Sequence, residues 1–231
     1  MTRTSLAPPL LAVAAVLVVT DLVLLDQARW TVLVSVAATA ALLVIARRAG
    51  LGAAELGLDR AHLGRGLLWG VVPSAIIGAG LVVAALLPWL ESAFADGRTP
   101  QEAGEVALKV LVVIPLRTVV LEELAFRGVL WGLLAERRGA RSATYWSSAA
   151  FGLWHLPTAF VVLDTNDALD GASGSVLGTL AVVGGIVVAT GIAGLLFAEL
   201  RRRSGSLLAP ALVHWTTNAG GTVVGFVLGA S

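Results

Sequence analysis

The sequence contains no cysteine, so disulfides and thiolate chemistry are excluded and the redox compartment leaves no trace. Charge is scarce as well. Asp, Glu, Lys and Arg make up 13% of the 231 residues, about half of the roughly 25% usual in a soluble domain. The net charge is +1 and the basic residues are spread over connections rather than gathered in a patch, which gives no surface for nucleic acid. There is no long polar domain, no internal repeat and no low-complexity tail. G-x-S-x-G and H-E-x-x-H are both missing, and no paired aspartates stand in separate apolar runs. What remains is 57% hydrophobic, with a mean hydropathy of +0.88. This composition describes an all-α, polytopic integral membrane protein.

Apolar runs fall at about 8–25, 30–46, 66–90, 105–136, 142–163, 175–200 and 206–229, near the roughly 17–25 residues a span needs. The expectation is a bundle of seven transmembrane helices, or eight if Pro115 splits the long fourth run. The first run has no A-x-A-like cleavage site and is followed closely by a second, so it reads as a retained span. Arg3, then Arg47, Arg48, Arg60 and Arg65, then Arg137, Arg138 and Arg141, then Arg201–Arg203 occupy alternate connections. The intervening ones carry Asp26, then Glu91, Asp96, Glu102 and Glu105, then Asp164, Asp167 and Asp170. By the positive-inside rule the N-terminus is cytoplasmic and the C-terminus outside. Gly221, Gly225 and Gly229, with Gly174 and Gly178, read as helix-packing seams. Trp30, Trp69, Trp89, Trp131 and Trp146 fall near span ends, as interfacial anchors do.

Against this background the segment Leu121–Arg127 stands out, because Glu122, Glu123 and Arg127 lie inside an apolar run. Each charge at the centre of a membrane helix costs ~2.5–3.5 kcal/mol on insertion scales, which makes such a cluster a functional-site hypothesis. Its partners are His155, four residues after Phe151, and His214, four residues before Asn218. The rise of about 1.5 Å per residue puts all three stretches about 16–22 Å from the cytoplasmic arginines, at one depth. The i, i+4 spacing of Glu123 and Arg127 predicts a structural ion pair, which leaves Glu122 as the freer base. Pro115, Pro157 and Pro210 stand near the three motifs and predict bends. His62 lies in a basic connection and receives no role.

Glu-Glu-x-x-x-Arg, Phe-x-x-x-His and His-x-x-x-Asn, in this order on successive apolar runs, resemble the CPBP family of CAAX proteases and bacteriocin-processing enzymes, also called Abi. The resemblance covers roughly 117–221, including Ser204–Leu207 before the last motif. It divides one membrane domain, 1–231, into motif-free N-terminal spans, 1–100, and a motif-bearing core, 101–231. It implies about eight helices and an intramembrane endopeptidase with a site open towards the cytoplasm, in a bacterial plasma membrane. Glu122 and His155 would activate water, and His214 and Asn218 would stabilise the oxyanion. Substrates would be peptides or proteins, some lipid-modified, within membrane lipid and without nucleic acid. No cofactor is expected, with zinc on Glu122, His155 and His214 as the alternative. Two other readings stay open, a non-proteolytic scaffold or immunity protein of the same fold and a proton-coupled transporter.

Overall fold

The computed structural model describes residues 6–26, 30–94, 99–166 and 169–229. Arg3, Asp96 and Asp167 of the charge alternation lie outside the described residues, as do the side chains of Asp26 and Asp170. The described chain is helical throughout and contains no β-strand. A backbone in hydrocarbon must bond to itself, and among single segments only a helix achieves that. Helix α1 is Ala7–Asp26, α2 Thr31–Arg48, α3 the short turn Ala53–Leu56, and α4 Leu63–Ala85. The fourth run is one long helical stretch with changing winding: α5 (Ala103–Leu108), a π-helix Lys109–Val119, α6 (Val120–Glu122) and a second π-helix Glu123–Leu130. It continues into α7 (Trp131–Trp154), then α8 (Leu156–Thr165), α9 (Asp170–Ser173), α10 (Val176–Ser204) and α11 (Leu208–Gly229).

Local chemistry sets these boundaries. Ser175 caps α10 by accepting the Gly178 N–H at 3.0 Å, and Gly205, at φ 75°, ends it after three arginines in the last turn. Gly139, at φ 78° and ψ 159°, breaks α7 within the basic connection 137–141. Pro115 does not split the fourth run. Proline supplies no N–H, and the wider π winding through Lys109–Val119 carries the chain past it. The fifth run is instead the divided one. His155 leaves the helical region at φ −83°, ψ 4°, just before Pro157 in the first turn of α8. Pro210 lies in the first turn of α11, where proline costs no hydrogen bond.

Among the described residues, four stretches are long and apolar enough to cross a membrane: Ala7–Leu24, Thr31–Arg48, Ala53–Ala85 and Val176–Ser204. The motif-bearing stretches are outside this set. Large apolar side chains such as Leu11, Leu22, Leu68, Ile76, Leu177 and Ile192 are exposed along the outside, a surface suited to lipid rather than water. One hydrophobic cluster joins Val13 and Leu17 of α1 and Leu42 and Ala46 of α2 to Leu121, Phe126, Val129, Phe151, Phe197 and Val213.

The glycine seams lie only in part where the sequence implied. A Cβ on Gly225 would lie 3.0 Å from the Phe94 carbonyl oxygen and one on Gly178 would press on the Ala172 carbonyl, whereas Gly221, Gly229 and Gly174 have open space where a Cβ would stand. Further close approaches are α7 on α10, where a Cβ on Gly152 would lie 2.7 Å from the Val187 carbonyl oxygen, and α4 on α11, where one on Gly70 would lie 3.1 Å from the Ala209 carbonyl oxygen. Arg201, read with Arg202 and Arg203 as part of a connection, lies instead in the last turn of α10. It is buried, donates to the Ala54 and Glu55 carbonyls at 3.2 and 2.9 Å, and lies over the Trp131 ring. The Leu207 N–H bonds to the Gly57 carbonyl at 2.8 Å, so the α10–α11 connection is tied to the turn that precedes α4.

Candidate active site

The motif residues meet where the fourth run, the end of α7 and α11 face the same core. Glu123 and Arg127 sit one turn apart on the second π-helix, 2% and 0% exposed. Arg127 Nη1 donates to Glu123 Oε1 at 3.3 Å, and Nη2 to the Gly194 carbonyl at 3.5 Å. Its guanidinium carbon lies 3.9 Å from the centroid of the Phe151 ring and 5.0 Å from that of Phe197. Where water is excluded, a cation over an aromatic face is worth about 2 kcal/mol or more. Gly194 permits this approach, since a Cβ there would press on Phe151 and Ser148 at 3.2 Å.

Glu123 has a second partner that the i, i+4 rule did not reveal. His214 Nδ1–H donates to the same Oε1 at 2.8 Å, across 91 residues of sequence. The His214 ring lies nearly parallel to Phe197, with centroids 5.1 Å apart and planes at 22°. His155 is fixed by the helix break. Its backbone N–H bonds to the Gly152 carbonyl, three residues back, and its ring Nδ1–H donates to the Phe151 carbonyl at 2.8 Å. A carbonyl only accepts, so Nδ1 of His155 carries the proton.

The two second partners therefore decide where the reactive nitrogens point. With Nδ1 committed on both rings, each Nε2 is the free nitrogen, and both face Glu122. Glu122 Oε2 lies 3.9 Å from His155 Nε2 and 3.8 Å from His214 Nε2. That oxygen is buried and has no hydrogen-bond partner among the described residues, and leaving a buried polar atom unmatched costs about 1–3 kcal/mol. One carboxylate oxygen and two imidazole nitrogens thus converge without touching, an arrangement able to hold and deprotonate a water molecule. If His214 accepts a second proton, its Nε2–H becomes a donor, with Glu123 as its counter-charge.

Asn218 is half-buried one turn after His214. Its backbone carbonyl accepts from Thr222 at 3.0 Å, and its side-chain amide makes no hydrogen bond to the other motif residues. Among the described residues no group of three His, Cys, Asp or Glu side chains is set to hold a metal ion. Glu122 is separated from the two imidazoles by more than the roughly 3.3 Å between tetrahedral ligands at about 2.0–2.1 Å from zinc. Residues that sequence reasoning passed over include Phe197 and Gly194 on α10, and Asp21 on α1, which lies within electrostatic reach of Glu122 and His155. Only Asp21 left a signal, as a charge inside the first apolar run.

The family model described as type II CAAX prenyl endopeptidase Rce1-like matches residues 104–220. Comparisons with curated proteins and with solved structures give no match. The matched region is just over half of the chain and holds all seven motif residues, so the chain belongs to the Rce1-like type II CAAX prenyl endopeptidase family, membrane proteases that act on peptide or protein substrates.

Proposed function

We propose that this membrane protease cleaves a peptide bond near the cytoplasmic side of the membrane through a metal-independent glutamate mechanism. Glu122 is the general base, with His155 helping to orient and polarise the attacking water. His214, doubly protonated against Glu123, and Asn218 donate to the oxyanion. The protein has seven spans with its N-terminus in the cytoplasm of a bacterial plasma membrane, and its substrates include lipid-modified chains. Glu123 and Arg127 form the buried pair that holds His214 in place.

The observation that supports this reading best is the convergence of both Nε2 atoms on Glu122 Oε2, at 3.8 and 3.9 Å. Water activation and proton return to the leaving amine need a base and an acid at one place, and these groups supply both. The test is turnover and melting temperature of Glu122→Gln in one detergent. Glutamine keeps the shape and loses the base, so cleavage should be lost while the protein melts like wild type. Cleavage at the wild-type rate by Glu122→Gln would reject the assignment.

A zinc reading has one observation in its favour: each imidazole gives its other N–H to an oxygen acceptor, as metal-binding histidines do. Protein stripped of metal and checked by elemental analysis distinguishes the two. Retained turnover supports the glutamate mechanism, and loss restored by one equivalent of zinc supports the metal.

A further inference from the structure

Helix α1 lies outside the 104–220 match, yet it carries an acidic residue inside the first apolar run. The face of α1 turned to the core carries Val13, Leu17 and Thr20, all buried, and Asp21 follows Leu17 by one turn. Val13 and Leu17 belong to the same cluster as Leu121, Ala125 and Phe126, so this face of α1 looks onto the helix that carries Glu122. Asp21 is half-buried, within electrostatic reach of Glu122, His155 and Arg117. Its carboxylate makes no hydrogen bond or ion pair among the described residues. An acid in a membrane span is expensive to insert, and this one is not consumed by a structural pair.

We infer that Asp21 is a substrate-binding residue of the site, whose carboxylate accepts hydrogen bonds from the amine that leaves when the peptide bond breaks. This rests on the glutamate mechanism proposed above. Water gives one proton to Glu122 and its oxygen bonds to the carbonyl carbon. Glu122 passes that proton to the nitrogen of the tetrahedral oxyanion, which then carries a positive charge, and the carbon–nitrogen bond breaks as the oxyanion re-forms the carbonyl. The products are a carboxylic acid and an amine, with Glu122 returned to its carboxylate. Positive charge therefore stands on the leaving nitrogen beside Glu122 as the bond breaks. Asp21 stands near Glu122 and His155, where a counter-charge is needed in a medium of low dielectric. An ester at the same position leaves as a neutral alcohol and makes no such demand.

The experiment uses the full-length protein in detergent, a peptide selected from a library because wild type cleaves it, and the depsipeptide with an ester at that one bond. Rates on both are measured for wild type, Asp21→Asn and Asp21→Ala. A hydrogen bond to a charged group is worth roughly ten- to hundredfold in rate. Both variants should lose that factor on the amide and keep the wild-type rate on the ester. Because the quantity read is the amide-to-ester ratio within one preparation, it does not depend on the fraction of protein that folds. A ratio equal to that of wild type, whether both rates fall or neither does, overturns the role of Asp21. If wild type cleaves no peptide, or Glu122→Gln cleaves as wild type does, the underlying mechanism fails and the Asp21 role falls with it.

Discussion

The two adjacent glutamates differ because of what surrounds each one. Glu123 Oε1 is shared by Arg127 and His214, while Glu122 Oε2 makes no hydrogen bond among the described residues and faces two imidazoles. Glu123→Gln therefore leaves a buried guanidinium without its counter-charge, and breaking a buried pair costs ~3–5 kcal/mol. The variant should melt well below wild type, and its turnover should fall as His214 loses the acceptor that supports a second proton. A Glu123→Gln protein that melts like wild type and is inactive, beside an active Glu122→Gln, would exchange the two roles. Asn218 tests the oxyanion side separately. Removing one such donor typically costs about 10²–10³ in turnover, so Asn218→Ala should be that much slower with an unchanged melting temperature, and a rate near wild type would reject it as a donor. The Glu123–Arg127 pair was legible in the sequence because i, i+4 is a local rule. The Glu123–His214 bond was not, because it joins two helices whose packing no local pattern encodes.

Among the helices, the sequence carried the long elements well and their contacts poorly. Uninterrupted apolar runs predict α1, α2, α4, α10 and α11, since length and hydropathy alone suffice. Winding and breaks depend on neighbours. The π-helical passage at Pro115 and the break at His155 arise from proline and from side-chain capping, and only the presence of the prolines could be read. Glycine spacing was informative only in part for the same reason: G-x-x-x-G identifies a smooth ridge without saying which of its glycines meets a partner, and Gly225 does while Gly221 and Gly229 do not. Gly152→Ala would drive a Cβ to 2.7 Å from the Val187 carbonyl oxygen, and overpacking of this kind typically costs about 1–3 kcal/mol. Gly221→Ala meets open space and gains up to about 1 kcal/mol in helix propensity. Melting temperatures in the same detergent should move in opposite directions, and a Gly152→Ala protein as stable as wild type would show that α7 and α10 are not so close.

At the scale of the whole molecule, orientation is the reading open to the most direct test. The absence of cysteine gives single-cysteine labelling a clean background. A cysteine at Asp164 should react with an impermeant reagent only from outside intact cells, and one at Arg138 only after the membrane is opened. The reverse pattern would invert the topology. A different matter follows from the core that Val13, Leu17, Leu42 and Ala46 share with Leu121, Phe126, Phe151 and Val213, and from the bonds of Arg201 and Leu207 to the turn before α4. The region that carries the motifs is not a portable module. Cut away from residues 1–100 it would present to lipid the inner faces built to receive α1, α2 and α4, with Arg201 deprived of the carbonyls that satisfy it. A graft of 101–231 onto another membrane anchor would transfer the motifs without the fold that aligns them, whereas the two pieces made together in one membrane retain the surfaces needed to reassemble.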